Sequence, residues 1–481
     1  MKLFEEYLKI LNAKQNEIAA VYGDKNKFHN YTYQEIRKMC LSIIDQIGIA
    51  KNNERLAIII DNDINYLSAF LAGIFSGYTI VGINPHTTKE EISLIINENK
   101  VEYVLTVSRM SGMFPDKEIL IDKLTTIDGQ LSSVERLGES PCIISYTSGT
   151  SGSRSKGVIL TNNNIYYVSE QYKKLYKVNR YDNIITFLPC WHNYGMIACL
   201  CNALFSCCKI SILDKWDINL FKKLINKYKP TIFPGSPYMY IDIIHNKELL
   251  KNVDLKCLRI CDSGGDSLPI GCIKEFEKIS GATITEGYGL TETSSLTHFN
   301  ISAAERKVGS IGKIVYGNKC QIRDIHGNIL SPNEWGELWI KGNMVFAGYI
   351  EEDLNKEVFD LEGWFNTKDV VKVDEQGYYY IAGRLSDLHV INSNVDISRK
   401  IENCLYKSEM VDKVYIKVNF NKQMNFNSYE LFVQGNEKMD VSTLYDYLHE
   451  EISDIIIDKV NIVERLELTD TGKIKRNKVG D

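Results

Sequence analysis

From about residue 30 to residue 300, short apolar runs alternate with longer segments of helical period, the pattern of a wound α/β sheet. The runs that read as strands are Leu56–Ile60, Tyr103–Val107, Cys142–Tyr146, Ile184–Leu188, Ile210–Leu213, Ile232–Phe233 and Leu258–Cys261. Between them, apolar positions recur at helical spacing over Tyr33–Ile47, Ile64–Phe75, Thr161–Tyr176 and Pro269–Ser280. An amphipathic helix is also expected at Met1–Leu11, where Lys2, Glu5, Glu6 and Lys9 interrupt the apolar positions. After residue 305 the texture changes to short strands with glycine-bearing turns, which predicts a β-rich subdomain. A second change near Gly383–Asp387 marks off a compact α+β unit at the end of the chain.

At 481 residues the chain is too long for one core, in keeping with that division into two or more domains. Its 44% hydrophobic and 25% charged residues are those of an ordinary globular protein. A net charge of −6 offers no electrostatic reason to expect nucleic acid or an anionic membrane as partner. No apolar run approaches the length of a membrane span, and the start of the chain does not read as a signal peptide. The twelve cysteines are scattered, so a cytoplasmic chain with free thiols is expected. The densest patch, Cys199, Cys201, Cys207 and Cys208, lies among Met196, Ile197, Leu200, Leu204 and Phe205. Without a histidine or a second CxxC to complete a metal site, these thiols are expected to pack as small hydrophobes.

Four segments carry candidate chemistry. The stretch Tyr146-Thr-Ser-Gly-Thr-Ser-Gly-Ser-Arg-Ser-Lys156-Gly157 follows a predicted strand and is expected to lead into a helix. Glycines, small hydroxyls and a lysine in that setting can wrap phosphate oxygens with backbone N–H groups. No GK[ST] closes it, so it is not a Walker A loop, and taken alone it reads equally well as a flexible loop. Leu188-Pro-Cys-Trp-His192-Asn-Tyr-Gly195 places aromatic rings and a histidine past a strand end, where α/β folds keep ligands. Gly287-Tyr288-Gly-Leu-Thr291-Glu292-Thr293 supplies an aromatic face, hydroxyls and a carboxylate. Trp364-Phe-Asn-Thr367-Lys-Asp369, followed by Gly383-Arg384, supplies an aspartate suited to ribose hydroxyls and an arginine suited to phosphate or ribose oxygens.

Taken together and in order, these motifs resemble the superfamily of adenylate-forming (AMP-binding) enzymes: acyl-CoA synthetases, luciferase-like ligases and peptide-synthetase adenylation domains. The matching segments are YTSGTSGSRSKG, LPCWHNYG, SGGDSLP at Ser263–Pro269, EGYGLTET, GELWIKG at Gly336–Gly342, GWFNTKD, GR at 383–384 and TGKIKR at Thr471–Arg476. They run from Tyr146 to Arg476 in the family's order and approximate spacing, and the resemblance covers residues 31–476.

The resemblance implies an N-terminal domain, 1–385, of two wound α/β sheets plus a β-rich part at about 305–382. It also implies a small mobile α+β domain, 386–481, hinged at Ser386. It implies ATP-dependent conversion of a carboxylic acid to acyl-AMP with magnesium, then transfer to a thiol of CoA or of a carrier protein's phosphopantetheine. The loop Thr147, Ser148, Gly149, Thr150, Ser151, Gly152 and Lys156 would hold phosphates, and Thr291 would contact the α-phosphate. Glu292, with Thr150, would hold magnesium. Gly265, Asp266, Ser267, Glu286, Gly287, Tyr288 and Gly289 would bind the nucleotide, Tyr288 stacking on adenine against Gly265 and Asp266, and Asp369 and Arg384 would take the ribose. Lys473 would bridge the substrate carboxylate and the α-phosphate. His192, Asn193, Tyr194, Ser236, Tyr238, Ser263, Gly264 and Gly289 would line the acyl pocket. A monomer or homodimer is expected.

The chain departs from the family in places. Its phosphate loop is one residue longer between Gly152 and Lys156 and lacks the common proline. Thr367-Lys368-Asp369 replaces the usual Thr-Gly-Asp. Val390 and Ser393 stand where a lysine and a glycine are common on the loop that meets the thiol, which is either drift or an altered acceptor. No aspartate occurs within Trp191–Tyr194 to pair with the ammonium of an amino acid. An unpaired buried ammonium is costly, so a fatty or aryl acid is the expected substrate. A nucleotide-binding protein with weak or no catalysis is the alternative of another class. Retention of Glu292, Asp369, Arg384 and Lys473 together argues against it.

Overall fold

Several helices begin where polar side chains satisfy their first N–H groups. Thr32 and Glu35 form a capping box at the start of helix Tyr33–Ile47, and Asp63 caps helix Ile64–Phe75. The computed structural model describes the chain except residues 113, 148–154, 301–303, 388–396, 409, 422–425, 437–438, 454, 470–471, 476–478 and 480–481.

Two wound sheets form the large body. One runs in the order Lys313–Ile314, His298–Phe299, Ile284–Tyr288, Ile260–Ser263, Ile232–Gly235, Asn183–Thr186, Lys209–Leu213, Ile18–Gly23, Phe28–Thr32. Its interior is parallel from Ile284–Tyr288 to Ile18–Gly23, and its edges are antiparallel. The other runs Gly348–Tyr349, Lys156–Thr161, Pro141–Thr147, Thr79–Gly82, Arg55–Ile58, Tyr103–Thr106, Glu118–Leu120. Both are dense in fully buried Ile, Val and Leu, as sheets covered on two faces require. The β-rich expectation after residue 305 corresponds to an antiparallel sheet of Asn318–Arg323, Gly336–Gly342, Phe365–Val373 and Tyr379–Arg384.

The last part of the chain has a core of its own, including Ile401, Leu405, Leu431, Val433 and Leu444. It comprises helices Ile397–Lys407 and Val441–Glu451 and a sheet of Val411–Asn421, Phe426–Gly435 and Ile457–Ile462.

One local expectation is corrected. The Gly/Ser/Thr stretch leads not into a helix but into strand Lys156–Thr161, antiparallel to Pro141–Thr147. Val158 and Leu160 bury completely on the sheet, and the helix starts only at Asn162. There Thr161 and Asn164 form a capping box. A smaller shift moves the expected strand Leu258–Cys261 to Ile260–Ser263, because Ile232 pairs with Ile260 and Gly235 with Ser263.

The cysteine patch is core. Cys199 and Cys201 lie on a π-helical stretch, Tyr194–Cys201, and with Cys208 they are buried. Burial pushes the Cys199 thiol up to about 12. Among the described residues no helix is long and apolar enough to cross a membrane.

Candidate active site

The parallel strands Ile232–Gly235, Ile260–Ser263 and Ile284–Tyr288 open at their carboxyl ends onto a cavity of about 800 Å³. Ser263, Gly265, Asp266, Ser267, Glu286, Gly287, Tyr288 and Gly289 line it from the strand ends. Asp369 and Arg384 line it from the β-rich sheet, and Tyr238 from helix Pro237–His245. Gly472 and Lys473 complete the wall from the end of the chain. Residues drawn from four distant stretches thus face one space.

Asp369 and Arg384 are register partners on adjacent strands. Arg384 Nε lies 3.0 Å from Asp369 Oδ1, and the Tyr288 hydroxyl donates to Asp369 Oδ2. Burial pushes the Asp369 carboxyl up from its usual range, and the Arg384 guanidinium opposes that shift. The lysine in place of glycine at 368 still takes the left-handed backbone, with φ 60°. Asn366 Oδ1 supports it by accepting from the Lys368 N–H at 2.8 Å. The departure in sequence therefore keeps the left-handed residue at the irregularity of strand Phe365–Val373 that precedes Asp369.

Thr291 and Glu292 sit on a 3-10 turn, Thr291–Thr293. Strand Gly348–Tyr349 pairs beside Lys156–Thr161 and brings the Tyr349 hydroxyl 2.8 Å from Glu292 Oε1. The same ring lies 5.4 Å from Lys156 Nζ. Glu292, Tyr349 and Lys156 thus form one group, and the Glu292 charge also acts on Asp369. Thr147 pairs with Lys156 at the mouth of the hairpin. Ser148, Gly149, Thr150, Ser151 and Gly152 lie outside the described residues, as do Val390 and Ser393.

Asn193, expected to line the acyl pocket, is buried as a tie. It accepts from Ser145 Oγ and donates to the Thr291 carbonyl at 3.2 Å, joining the two sheets across the site. Beside it, His192 Nδ1 accepts from the Tyr194 N–H at 3.2 Å. Burial, reinforced by the nearby Lys473 ammonium, pushes His192 down to about 4, so it is neutral at pH 7.

Lys473 is carried by a tight hairpin in which Leu468 bridges Ile474 and the Thr469 N–H donates to the Lys473 carbonyl at 2.7 Å. Gly472 has φ 86°, and a Cβ there would come within 2.1 Å of the Tyr238 ring. Glycine is therefore needed twice, for the backbone sign and for the close approach. Gly472→Ala is expected to displace the hairpin from Tyr238 and quicken hydrogen–deuterium exchange of the Lys473 and Lys475 amides, which are hydrogen-bonded within the hairpin. Unchanged exchange at those amides would refute that reading of the contact.

Of the remaining pocket candidates, Tyr194 and Gly264 pack together. The Tyr194 ring packs over Gly264, where a Cβ would sit 2.9 Å from it, and the Tyr194 hydroxyl donates to Asp262 Oδ2 at 2.9 Å. The Tyr176 hydroxyl shares that oxygen at 2.6 Å. Burial pushes the Asp262 carboxyl up to about 6. Ser263 Oγ is buried without a hydrogen-bond partner among the described residues. Ser236 precedes helix Pro237–His245, and Gly289 meets the Ser295 backbone too closely for any side chain. Ser386 is exposed on a 3-10 turn, Leu385–Asp387, away from the cavity wall.

Asp262 and Tyr349 carried no motif signal. Their partners lie 68 and 57 residues away along the chain.

Likeness to known proteins is extensive. The chain is 27% identical over 444 residues to the long-chain-fatty-acid–CoA ligase of Bacillus subtilis (strain 168), covering 82% of this chain and 78% of that one. It is 28% identical over 470 residues to the probable CoA ligase CCL5 of Humulus lupulus, covering 91% and 84%. The anthranilate CoA ligase AuaEII, solved with anthranoyl-AMP, superposes with a TM-score of 0.86 over 99% of this chain and 96% of that one, at 18% identity. The benzoate CoA ligase of Burkholderia xenovorans LB400 gives 0.85 over 99% of each, at 20% identity. The profile of the family described as AMP-binding enzyme matches residues 9–350, well over half of the sequence, and the chain belongs to that family.

Proposed function

We propose that this chain uses ATP to activate a carboxylic acid as its acyl-AMP, releasing pyrophosphate, and then transfers the acyl group to a thiol. The observation that carries the reading is the meeting of Tyr288, Asp369, Arg384 and Lys473 on one cavity, with buried His192 near enough to feel the Lys473 charge. In the first step a carboxylate oxygen attacks the α-phosphorus and pyrophosphate leaves. In the second a thiolate sulfur attacks the acyl carbonyl carbon and AMP leaves.

Each side chain has a task in that scheme. The buried Asp369 accepts from ribose hydroxyls, and Arg384 fixes its orientation. The Tyr288 ring forms a flat wall for the base. The Lys473 ammonium draws the acid's carboxylate towards the α-phosphate and offsets the charge that builds there. A neutral His192 adds no second cation and leaves that alignment to Lys473. Magnesium typically takes one or two carboxylates plus substrate phosphates rather than an all-protein cage. Glu292, partly exposed beside Lys156 and Tyr349, fits that need. The ion would supply charge neutralisation of the leaving pyrophosphate.

The residues also support a division into a body of 1–385 and a mobile unit of 386–481 turning at Ser386. The second unit has a core of its own and contributes Lys473 on a hairpin.

The acid proposed is fatty or aryl. Trp191–Tyr194 holds no carboxylate, and the neighbouring Asp262 is engaged by two tyrosine hydroxyls. Pyrophosphate release across a library of acids tests this. Aliphatic or aryl acids should outcompete every proteinogenic amino acid, whereas exchange with an amino acid and with no simple acid would overturn it.

For the acceptor, the names of the relatives favour CoA, while Ser393 in place of a glycine favours pantetheine on a carrier protein. Single-turnover transfer from preformed acyl-AMP to each thiol at equal concentration decides between them.

A further inference from the structure

Helix Ile270–Ser280 follows Pro269, which has no side chain able to cap it. The missing acceptor comes from another part of the chain. Asn403, on helix Ile397–Lys407, accepts from the Ile270 N–H through Oδ1 at 2.9 Å, 133 residues away in sequence. One turn earlier on the same face, Arg399 donates to Ser267 Oγ and, at 3.4 Å, to the Gly309 carbonyl. His245 Nδ1 lies 3.5 Å from an Asp412 carboxylate oxygen at the rim of the same contact.

Helix Ile397–Lys407 and the Lys473 hairpin therefore reach the large body together. Arg399, Glu402 and Tyr406 line the cavity that Lys473 enters. A second cleft of about 440 Å³ is lined by the helix, by Trp335 just before strand Gly336–Gly342 and by Tyr380 on strand Tyr379–Arg384, so the contact is polar and incompletely packed. Interfaces of that kind let units separate, since water replaces each lost hydrogen bond. Arg399 also stands among the carboxyls of Glu286 and Glu402, which burial pushes up to about 7 and about 8.

We propose that Asn403 and Arg399 are a latch: they hold the C-terminal unit in the placement that puts Lys473 into the cavity, and their release precedes acyl transfer. Both are positioning residues, because neither has to touch the reacting atoms. The inference rests on the two-step reaction proposed above. It adds which contacts choose between the two steps.

The test uses the full-length chain with Asn403→Ala, Arg399→Ala and Asn403→Asp, the last keeping a side-chain acceptor for the Ile270 N–H. The first readout needs no turnover. Hydrogen–deuterium exchange of the amides opening helix Ile270–Ser280 should quicken in Asn403→Ala and return towards wild type in Asn403→Asp. The second readout compares the half-reactions. Acid-dependent pyrophosphate exchange should fall about fivefold with loss of a helix cap, while transfer from supplied acyl-AMP to the thiol holds or rises. Arg399→Ala should shift the two steps in the same opposed sense. Unchanged amide exchange in Asn403→Ala, or a parallel fall of both half-reactions in the alanine variants, overturns the latch. A wild-type chain that exchanges no pyrophosphate with any acid, while its amides respond as expected, overturns the two-step reaction and leaves the docking contact standing.

Discussion

Lys473→Ala should lose acid-dependent pyrophosphate exchange by on the order of 10²–10³-fold, the scale set by removing a preorganised charge from a developing anion. Transfer from supplied acyl-AMP to a thiol should keep most of its rate. The split follows from where the lysine stands. Its charge reaches both His192 and Asp369, in keeping with the bridging role proposed for it above. Its backbone makes the hairpin bonds, including the Lys473 N–H to Thr469 Oγ1 at 3.1 Å. Alanine keeps those bonds and the glycine beside Tyr238, so the variant removes the ammonium and little else. Equal loss of both half-reactions would mean that the hairpin, not the charge, was damaged, and the role assigned to Lys473 would fall.

The same hairpin marks the boundary between what is legible in the sequence and what is not. Local order reads well. Helices Tyr33–Ile47 and Ile64–Phe75 coincide with their apolar periods because a side-chain cap stands directly before each of them. The motif residues Tyr288, Asp369 and Arg384 can be found because each sits in a short stretch whose composition already suggests its chemistry. Lys156–Thr161 was harder. Its β-branched and apolar residues favour a strand, but the Gly/Ser/Thr run before it suggested the entry to a helix. The pairing with Pro141–Thr147, a tertiary contact, decides in favour of the strand.

Contacts between distant stretches were not legible at all. Tyr288 meets Asp369 across 81 residues, Asn193 meets Thr291 across 98 and Asn403 meets Ile270 across 133. No periodicity encodes such pairs, because each depends on how whole elements stack. Asn193 is the clearest case. Its neighbours in sequence suggest a pocket-lining residue, and the structure adds a tie to Ser145 and Thr291 that those neighbours do not announce. The lysine at 368 is the converse: the residue departs from expectation, and the backbone conformation that a glycine would favour is kept.

Glu292→Gln should slow adenylation by about two orders of magnitude or more and raise the magnesium concentration needed for half-maximal rate. The substitution is informative because it leaves the local structure intact. Glutamine still offers an oxygen to the Tyr349 hydroxyl, which holds Glu292 Oε1 at 2.8 Å. The backbone carbonyl of residue 292 still accepts from the Phe346 N–H at 2.9 Å. What disappears is one negative charge beside the Lys156 ammonium and the Tyr349 ring. Two consequences follow from that loss. Magnesium loses its protein carboxylate, so ATP affinity measured by calorimetry should depend less steeply on magnesium than in wild type. Asp369 also loses a negative neighbour that helps to raise its carboxyl, so the ribose contact should be no weaker and ATP binding without magnesium should survive. A variant that binds ATP with wild-type magnesium dependence, or that fails to bind ATP even without the metal, would remove Glu292 from the metal site. Tyr349 would then be the reason that a carboxylate is kept at this position.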